Sequence, residues 1–149
     1  MKLLNYFMAF KILIMGLSGA GKTTLAKNVV NAFREYQCTA TWLNADEIRE
    51  LTNNWDFTNE GRILQAHTLR RMADDAPTDI VVADFIAPLP EQRSIFNPDF
   101  IVWVDTVNKS KYEDTDQCFQ APAYCDYYIS EHSDNHAENI LMTLFEKNE

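Results

Sequence analysis

The stretch GLSGAGKTT, Gly16 to Thr24, holds three of the four glycines in this 149-residue chain. A connecting loop would accept any polar turn former. Glycine concentrated in this way marks a backbone that wraps around a ligand and approaches it closely. Gly16, Gly21, Lys22 and Thr23 satisfy G-x-x-x-x-G-K-[ST], in which successive N–H groups turn inward to cradle phosphates. The pattern assigns Gly16, Ser18, Gly19, Ala20, Gly21, Lys22, Thr23 and Thr24 to phosphate binding. Lys22 would reach the β- and γ-phosphates, and the Thr23 hydroxyl would sit on Mg²⁺. The flanks agree with this assignment. FKILIM (Phe10–Met15) reads as a buried strand, and Leu25, Val29, Ala32, Phe33 and Tyr36 recur at helical spacing behind the loop. A helix N-terminus directly after the loop adds its dipole to the anion site.

The remainder alternates strand and helix. TATWL (Thr39–Leu43) reads as a second strand and Asp46–Leu51 as a short helix. Thr58 is placed to cap a longer helix, with Ile63, Leu64, Leu69 and Met72 as its apolar face. DIVVADF and DFIVWVD are near-continuous apolar runs, the pattern of parallel strands covered on both faces. Tyr127–Ile129 is a short fifth strand, and a closing helix follows Ser133 and Asp134. The pattern predicts an α/β fold: three layers, α/β/α, around a central parallel sheet of about five strands, in one domain spanning residues 1–149.

The formal net charge of −9 argues against a nucleic-acid binder, which would present a basic face. Cys38, Cys118 and Cys125 are odd in number and lack C-x-x-C spacing, which fits a reducing, cytoplasmic location. The opening MKLLNYFMAF is interrupted by Asn5 and closely followed by Lys11, so neither a signal peptide nor a membrane span is expected. Met8 is an alternative start. His132 and His136 are four residues apart, but Ser133, Asp134 and Asn135 between them read as a turn and cap rather than a metal site. The expected partner is a small-molecule nucleotide, with a homodimer allowed and no nucleic acid or membrane.

Ligands of parallel sheets bind at the carboxyl ends of the strands, so functional residues belong just after each strand. Asp46 and Arg49 follow the second strand. Asp84, Phe85, Pro88 and Arg93 follow the third. A carboxylate beside a phosphate loop either binds Mg²⁺ or takes the proton of an attacking hydroxyl, and nearby arginines clamp an anionic acceptor. The competing use of Asp46 is as a helix cap.

These residues together resemble the adenylylsulfate (APS) kinase family of P-loop kinases. The resemblance runs from about Phe10 to the closing helix. GLSGAGKTT is similar to the family's loop, and LNADEIR to its L-D-G-D-x-x-R, which makes Asp46 the catalytic Asp and Arg49 a substrate-binding Arg. DFTNEGRILQ resembles G-F-S-x-x-D-R-x-x-N. That implies a stacking role for Phe57 and substrate contacts for Arg62 and Gln65. FIAP resembles F-I-S-P, which places Phe85 and Ile86 against the acceptor's adenine; Arg93 matches a following Arg. The sequence departs at Asn44 and Ala45, where the family has Asp and Gly, and at His67, where it has Arg. Asp84 stands where the family usually has a small residue and looks like a metal-binding carboxylate. Between Asp105 and Ala121 the family's lid is shortened, and Lys109 and Lys111 lie in the replacement.

The resemblance implies an ATP- and Mg²⁺-dependent kinase with Lys22 and Asp46 as catalytic residues and Thr23 and Asp84 as metal residues. Arg49, Phe57, Arg62, Gln65, Phe85 and Ile86 would bind the acceptor, adenosine 5′-phosphosulfate, whose 3′-hydroxyl receives the phosphate. The alternatives are a kinase acting on another nucleotide, nucleoside or nucleic-acid hydroxyl, and a lidless ATP-binding module of low turnover.

Overall fold

The structure, a computed structural model, describes residues 8–147; the apolar opening and the choice of Met1 or Met8 as start lie largely outside that range. Five strands, β1 (Phe10–Met15), β2 (Ala40–Asn44), β3 (Ile80–Asp84), β4 (Phe100–Val104) and β5 (Tyr127–Ile129), form one sheet in the order β2-β3-β1-β4-β5. Every pairing is parallel. The helices are α1 (Lys22–Glu35), α2 (Ala45–Thr52), α3 (Asn59–Asp75), α4 (Pro90–Phe96), α5 (Glu113–Cys118) and α6 (His136–Lys147). None is long and apolar enough to cross a membrane.

The period-two geometry of a strand builds the three layers. In β1, Ile12 and Ile14 join the core beneath α1 and α6, while Leu13 and Met15 join the core with Leu69 and Ala73 of α3 and Phe96 of α4. All four are fully buried. β3 repeats the division, with Ile80 and Val82 on one face and Val81 and Ala83 on the other. Strands covered on both sides have no solvent face, hence their unbroken apolar runs.

The connection after β1 runs to β2 on one side of the sheet and the connection after β4 runs to β5 on the other, so the topological switch lies between β1 and β4, and the carboxyl end of β1 opens into a crevice. Gly16 is the first residue beyond that end. A Cβ there would collide with the carbonyl oxygen of Val104, and φ is +153°. Gly16→Ala is therefore expected to destabilise the fold by about 2 kcal/mol or more through overpacking. In a thermal melt this is a fall of roughly 4–8 °C; an unchanged melting temperature would contradict the close approach.

Two details differ from the sequence reading. Leu64, assigned to the apolar face of α3, is 58% exposed, whereas Arg62 and Gln65 point inward at 4% and 5%. The helices α4 and α5 were not anticipated. α4 opens with Pro90 at its first turn, and the Gln92 side chain accepts from Leu89 N at 3.1 Å.

Candidate active site

The crevice holds a cavity of about 1130 Å³ whose wall includes Ser18, Gly19, Gly21, Lys22, Thr23 and Thr24 on one side and Arg49, Phe57, Arg62 and Gln65 on the other. Gly21 caps α1 in the left-handed region, φ 102°, so the first turn of the helix opens directly onto the loop with no acidic residue to oppose an anion. Gly16 and Ala20 do not line the cavity. Gly16 packs on Val104, and the Ala20 carbonyl accepts from Thr106 Oγ1 at 2.7 Å, so both shape the loop from behind. Lys22 Nζ donates to the Leu17 carbonyl at 2.9 Å. Burial lowers its pKa to about 8 against the pull of Asp84 and Asp46, so a phosphate would find a cation short of counter-charge.

Asn44 and Asp84 end adjacent strands in register. Asn44 Nδ2 donates to Asp84 Oδ1 at 2.9 Å and reaches Thr23 Oγ1 at 3.4 Å. Asp84 Oδ2 accepts from Trp42 Nε1 at 3.1 Å. Burial raises the Asp84 pKa to about 6, although Trp42, Lys22, the Ala45 N–H and Asn44 all favour its charged form. A hydroxyl and a carboxylate joined through one amide make a hard, oxygen-only set suited to Mg²⁺, which keeps much of its water and needs few protein ligands. No group of three or more His, Cys, Asp and Glu among the described residues would hold a metal unaided. His136 is committed elsewhere, with Nδ1 on Tyr127 OH at 3.0 Å and Nε2 on the Glu131 carbonyl at 2.7 Å.

Asp46 lies on the exposed first turn of α2 and lines the cavity. It is not the cap of that helix. Asn44 is, its side chain accepting from Glu47 N at 3.1 Å.

Arg49 and Arg62 are each 4% exposed, and neither forms an ion pair among the described residues. Arg49 Nη1 donates to the carbonyls of Asn54 and Asp56, and its guanidinium lies 4.2 Å over the Phe57 ring. Arg62 Nε donates to the Phe57 carbonyl and Nη2 to Thr115 Oγ1 at 3.0 Å. Burial, then mutual repulsion with Arg62, lowers the Arg49 pKa. Asp46 and Asp56 offset this only in part, and two buried guanidiniums held by carbonyls and one hydroxyl, with no carboxylate in ion-pair contact among the described residues, leave positive charge at the cavity wall. Gln65 Nε2 donates to the Ala45 carbonyl at 3.1 Å, fixing its amide at the wall, while His67 is exposed outside the cavity.

Phe85 forms part of the floor, edge-on to Phe96 at 5.8 Å, with Ile86 beside it. Ala87 adopts φ 50°, a left-handed conformation that costs an alanine about 1–2 kcal/mol. Arg93 secures this turn: its guanidinium donates to the carbonyls of Ala87, Pro88 and Gln120. Strain held this way at a cavity wall is characteristic of a binding loop.

The adenylylsulphate kinase family model matches residues 8–107. The chain belongs to the adenylylsulphate kinase family. It is a P-loop kinase, a phosphotransferase that uses a nucleotide. Its fold is similar to that of the Mycobacterium tuberculosis APS kinase CysC in complex with AMPPNP and APS, with 22% identity over 93% of this chain and 98% of that one and a TM-score of 0.75. A hexameric APS kinase from Thiobacillus denitrificans gives 21% identity, 95% of this chain, 30% of that chain and a TM-score of 0.74. Shikimate kinase from Acinetobacter baumannii, in complex with shikimate, gives 17%, 97%, 98% and 0.66. At these identities the likeness is one of fold. No curated protein sequence matches the chain.

The APS kinase family match ends at Val107. The segment beyond it holds α5, whose one buried residue, Thr115, is the one that Arg62 holds. Lys111 lines the cavity and Lys109 does not, while Glu113 and Asp114 bring negative charge to the rim. Trp42, Trp55, Gln92 and Thr115 at the site were not foreseen. Trp42 was readable only as a strand residue, and the others lie in segments with no periodic signal.

Proposed function

We propose that residues 1–149 form a single kinase domain that transfers the γ-phosphate of ATP to the 3′-hydroxyl of adenosine 5′-phosphosulfate. The observation that carries this reading is the pair Arg49 and Arg62, buried without an ion pair among the described residues and with guanidiniums 4.2 and 6.0 Å from the Phe57 ring, across one cavity from the phosphate loop. A nucleotide with an anionic 5′ end matches that combination of aromatic surface and cations.

In this reading the loop from Gly16 to Thr24 binds the phosphates of ATP through its N–H groups, and Lys22 leaves Leu17 to neutralise the transferring phosphoryl group. Thr23 and Asp84 would hold Mg²⁺, which when bound supplies charge neutralisation between the β- and γ-phosphates. Asp46 orients the acceptor hydroxyl and takes its proton as the oxygen attacks phosphorus and ADP leaves. Arg49 and Arg62 hold the sulfate and phosphate, Phe57 and Phe85 face the base, and Ile86 and Gln65 complete its pocket.

Calorimetric titration with adenosine 5′-phosphosulfate, followed by assay of ATP consumption, tests the proposal. Saturable binding and 3′-phosphorylation are expected, and Arg62→Ala should weaken acceptor binding at least about tenfold, since hydrogen bonds to charged groups contribute about 1.5–3 kcal/mol. A second reading rests on Glu113 and Asp114 at the rim, whose charge favours a less anionic hydroxyl acceptor. No binding of adenosine 5′-phosphosulfate alongside phosphorylation of another nucleotide or nucleoside would establish that reading instead.

A further inference from the structure

Asn44 is explained neither by the core nor by helix capping alone. It is 9% exposed and ends β2 directly beside Asp84 at the end of β3, the two being partners in the parallel register. Each of its polar atoms has an assignment. Oδ1 accepts from Glu47 N at 3.1 Å, and Nδ2 lies between Asp84 Oδ1 at 2.9 Å and Thr23 Oγ1 at 3.4 Å. A cap needs only the oxygen. The amide nitrogen points the other way, joining the two groups that this chain offers to a metal.

Resting on the kinase reading for the presence of Mg²⁺, we propose that Asn44 is a positioning residue. It forms with Asp84 a single carboxamide–carboxylate unit that aligns the carboxylate with the Thr23 hydroxyl and functions with its charge at either strand end. The hydrogen-bond accounting supports the interchange. With Asp at 44 and Asn at 84, the new Asn amide donates to the new carboxylate across the same 2.9 Å gap. Its carbonyl still accepts from Trp42 Nε1, as Asp84 Oδ2 does now. The carboxylate at 44 still accepts from Glu47 N, and Asp caps a helix about as well as Asn. Each of these three bonds keeps a partner, the net charge is unchanged, and the negative charge moves one strand over, to the side chain that reaches Thr23 Oγ1 at 3.4 Å.

The test is calorimetric titration of MgCl₂ onto the ADP-bound full chain, with melting temperature recorded for each variant. Asp84→Asn should lose about tenfold in Mg²⁺ affinity, the scale on which groups around a metal act. Asn44→Ala should lose several-fold while retaining the carboxylate. The double variant Asn44→Asp with Asp84→Asn should return to within about threefold of wild type. Asn44→Asp alone, which adds a second carboxylate, should bind Mg²⁺ more tightly than wild type, and this arm remains informative if the double variant melts early. A well-folded double variant as weak as Asp84→Asn, or an Asn44→Asp that gains nothing, overturns the unit while leaving the kinase reading intact. A wild-type protein whose ADP complex takes up no Mg²⁺ overturns both.

Discussion

Lys22→Ala is expected to reduce phosphoryl transfer at least about 10³-fold and to weaken ATP binding, because charge stabilisation by a positioned cation accounts for that much of such a reaction. The environment of Lys22 explains the size of the effect. Its ammonium is largely removed from water, its pKa is about 8, and the nearest carboxylates acting on it are Asp84 and Asp46. Alanine would leave those carboxylates facing the incoming phosphates with no cation between them. Among the described cationic side chains lining the cavity, none is placed to substitute: Arg49 and Arg62 lie on the wall across from the loop, bonded to Asn54, Asp56, Phe57 and Thr115, and Lys111 is exposed on the approach to α5. Among the described residues the Lys22 side chain gives up one hydrogen bond, to Leu17, so the fold should persist. Steady-state kinetics with calorimetry for ATP and circular dichroism for structure would check this, and near-normal turnover would refute the assignment of the loop.

The phosphate loop and the layered fold were legible in the sequence for a shared reason: each demands particular residue types at fixed spacing. A loop that wraps phosphate needs glycine where φ is positive, as at Gly21, and strands buried on both faces need unbroken apolar runs, as in β1 and β3. The cavity wall across from the loop was less legible from periodicity. α3 turns Arg62 and Gln65 inward and Leu64 outward, because this helix covers a polar cavity along part of its length and the apolar core only near Leu69 and Ala73. A search for an apolar stripe selects the wrong face in such a helix; the resemblance of DFTNEGRILQ to its family found the inward residues. Asn44 read as a departure from the family pattern, yet it is the cap of α2. Trp42 and Thr115 act through contacts 42 and 53 residues distant in sequence, which no local pattern encodes.

α5 has six residues and is tethered by Thr115 to Arg62. It brings Glu113 and Asp114 to the cavity beside Arg62, whereas Thr106 and His132 lie against the phosphate loop at Ala20 and Gly21. Under the proposed assignment of the two walls, closure around the acceptor is better provided for than closure over ATP, which would place the burden of catalysis on the loop and on Asp46.

The proposed base is Asp46. Asp46→Asn is expected to lower kcat about 10²-fold or more while leaving acceptor affinity and melting temperature near wild type. The substitution keeps the shape of the side chain and removes only its capacity to accept a proton. It would be uninformative if Asp46 capped α2, since Asn is an equally good cap, but the Glu47 N–H is already satisfied by Asn44. Asp46 is also exposed at the cavity wall rather than packed beneath it, so no buried partner is orphaned by the change. A structural role would therefore move neither rate nor stability, and a base would move the rate alone. Single-turnover kinetics with ATP and adenosine 5′-phosphosulfate separate the two, and a rate within a few-fold of wild type would remove Asp46 from the chemistry and leave the hydroxyl to be activated by position beside Lys22 and the phosphate loop.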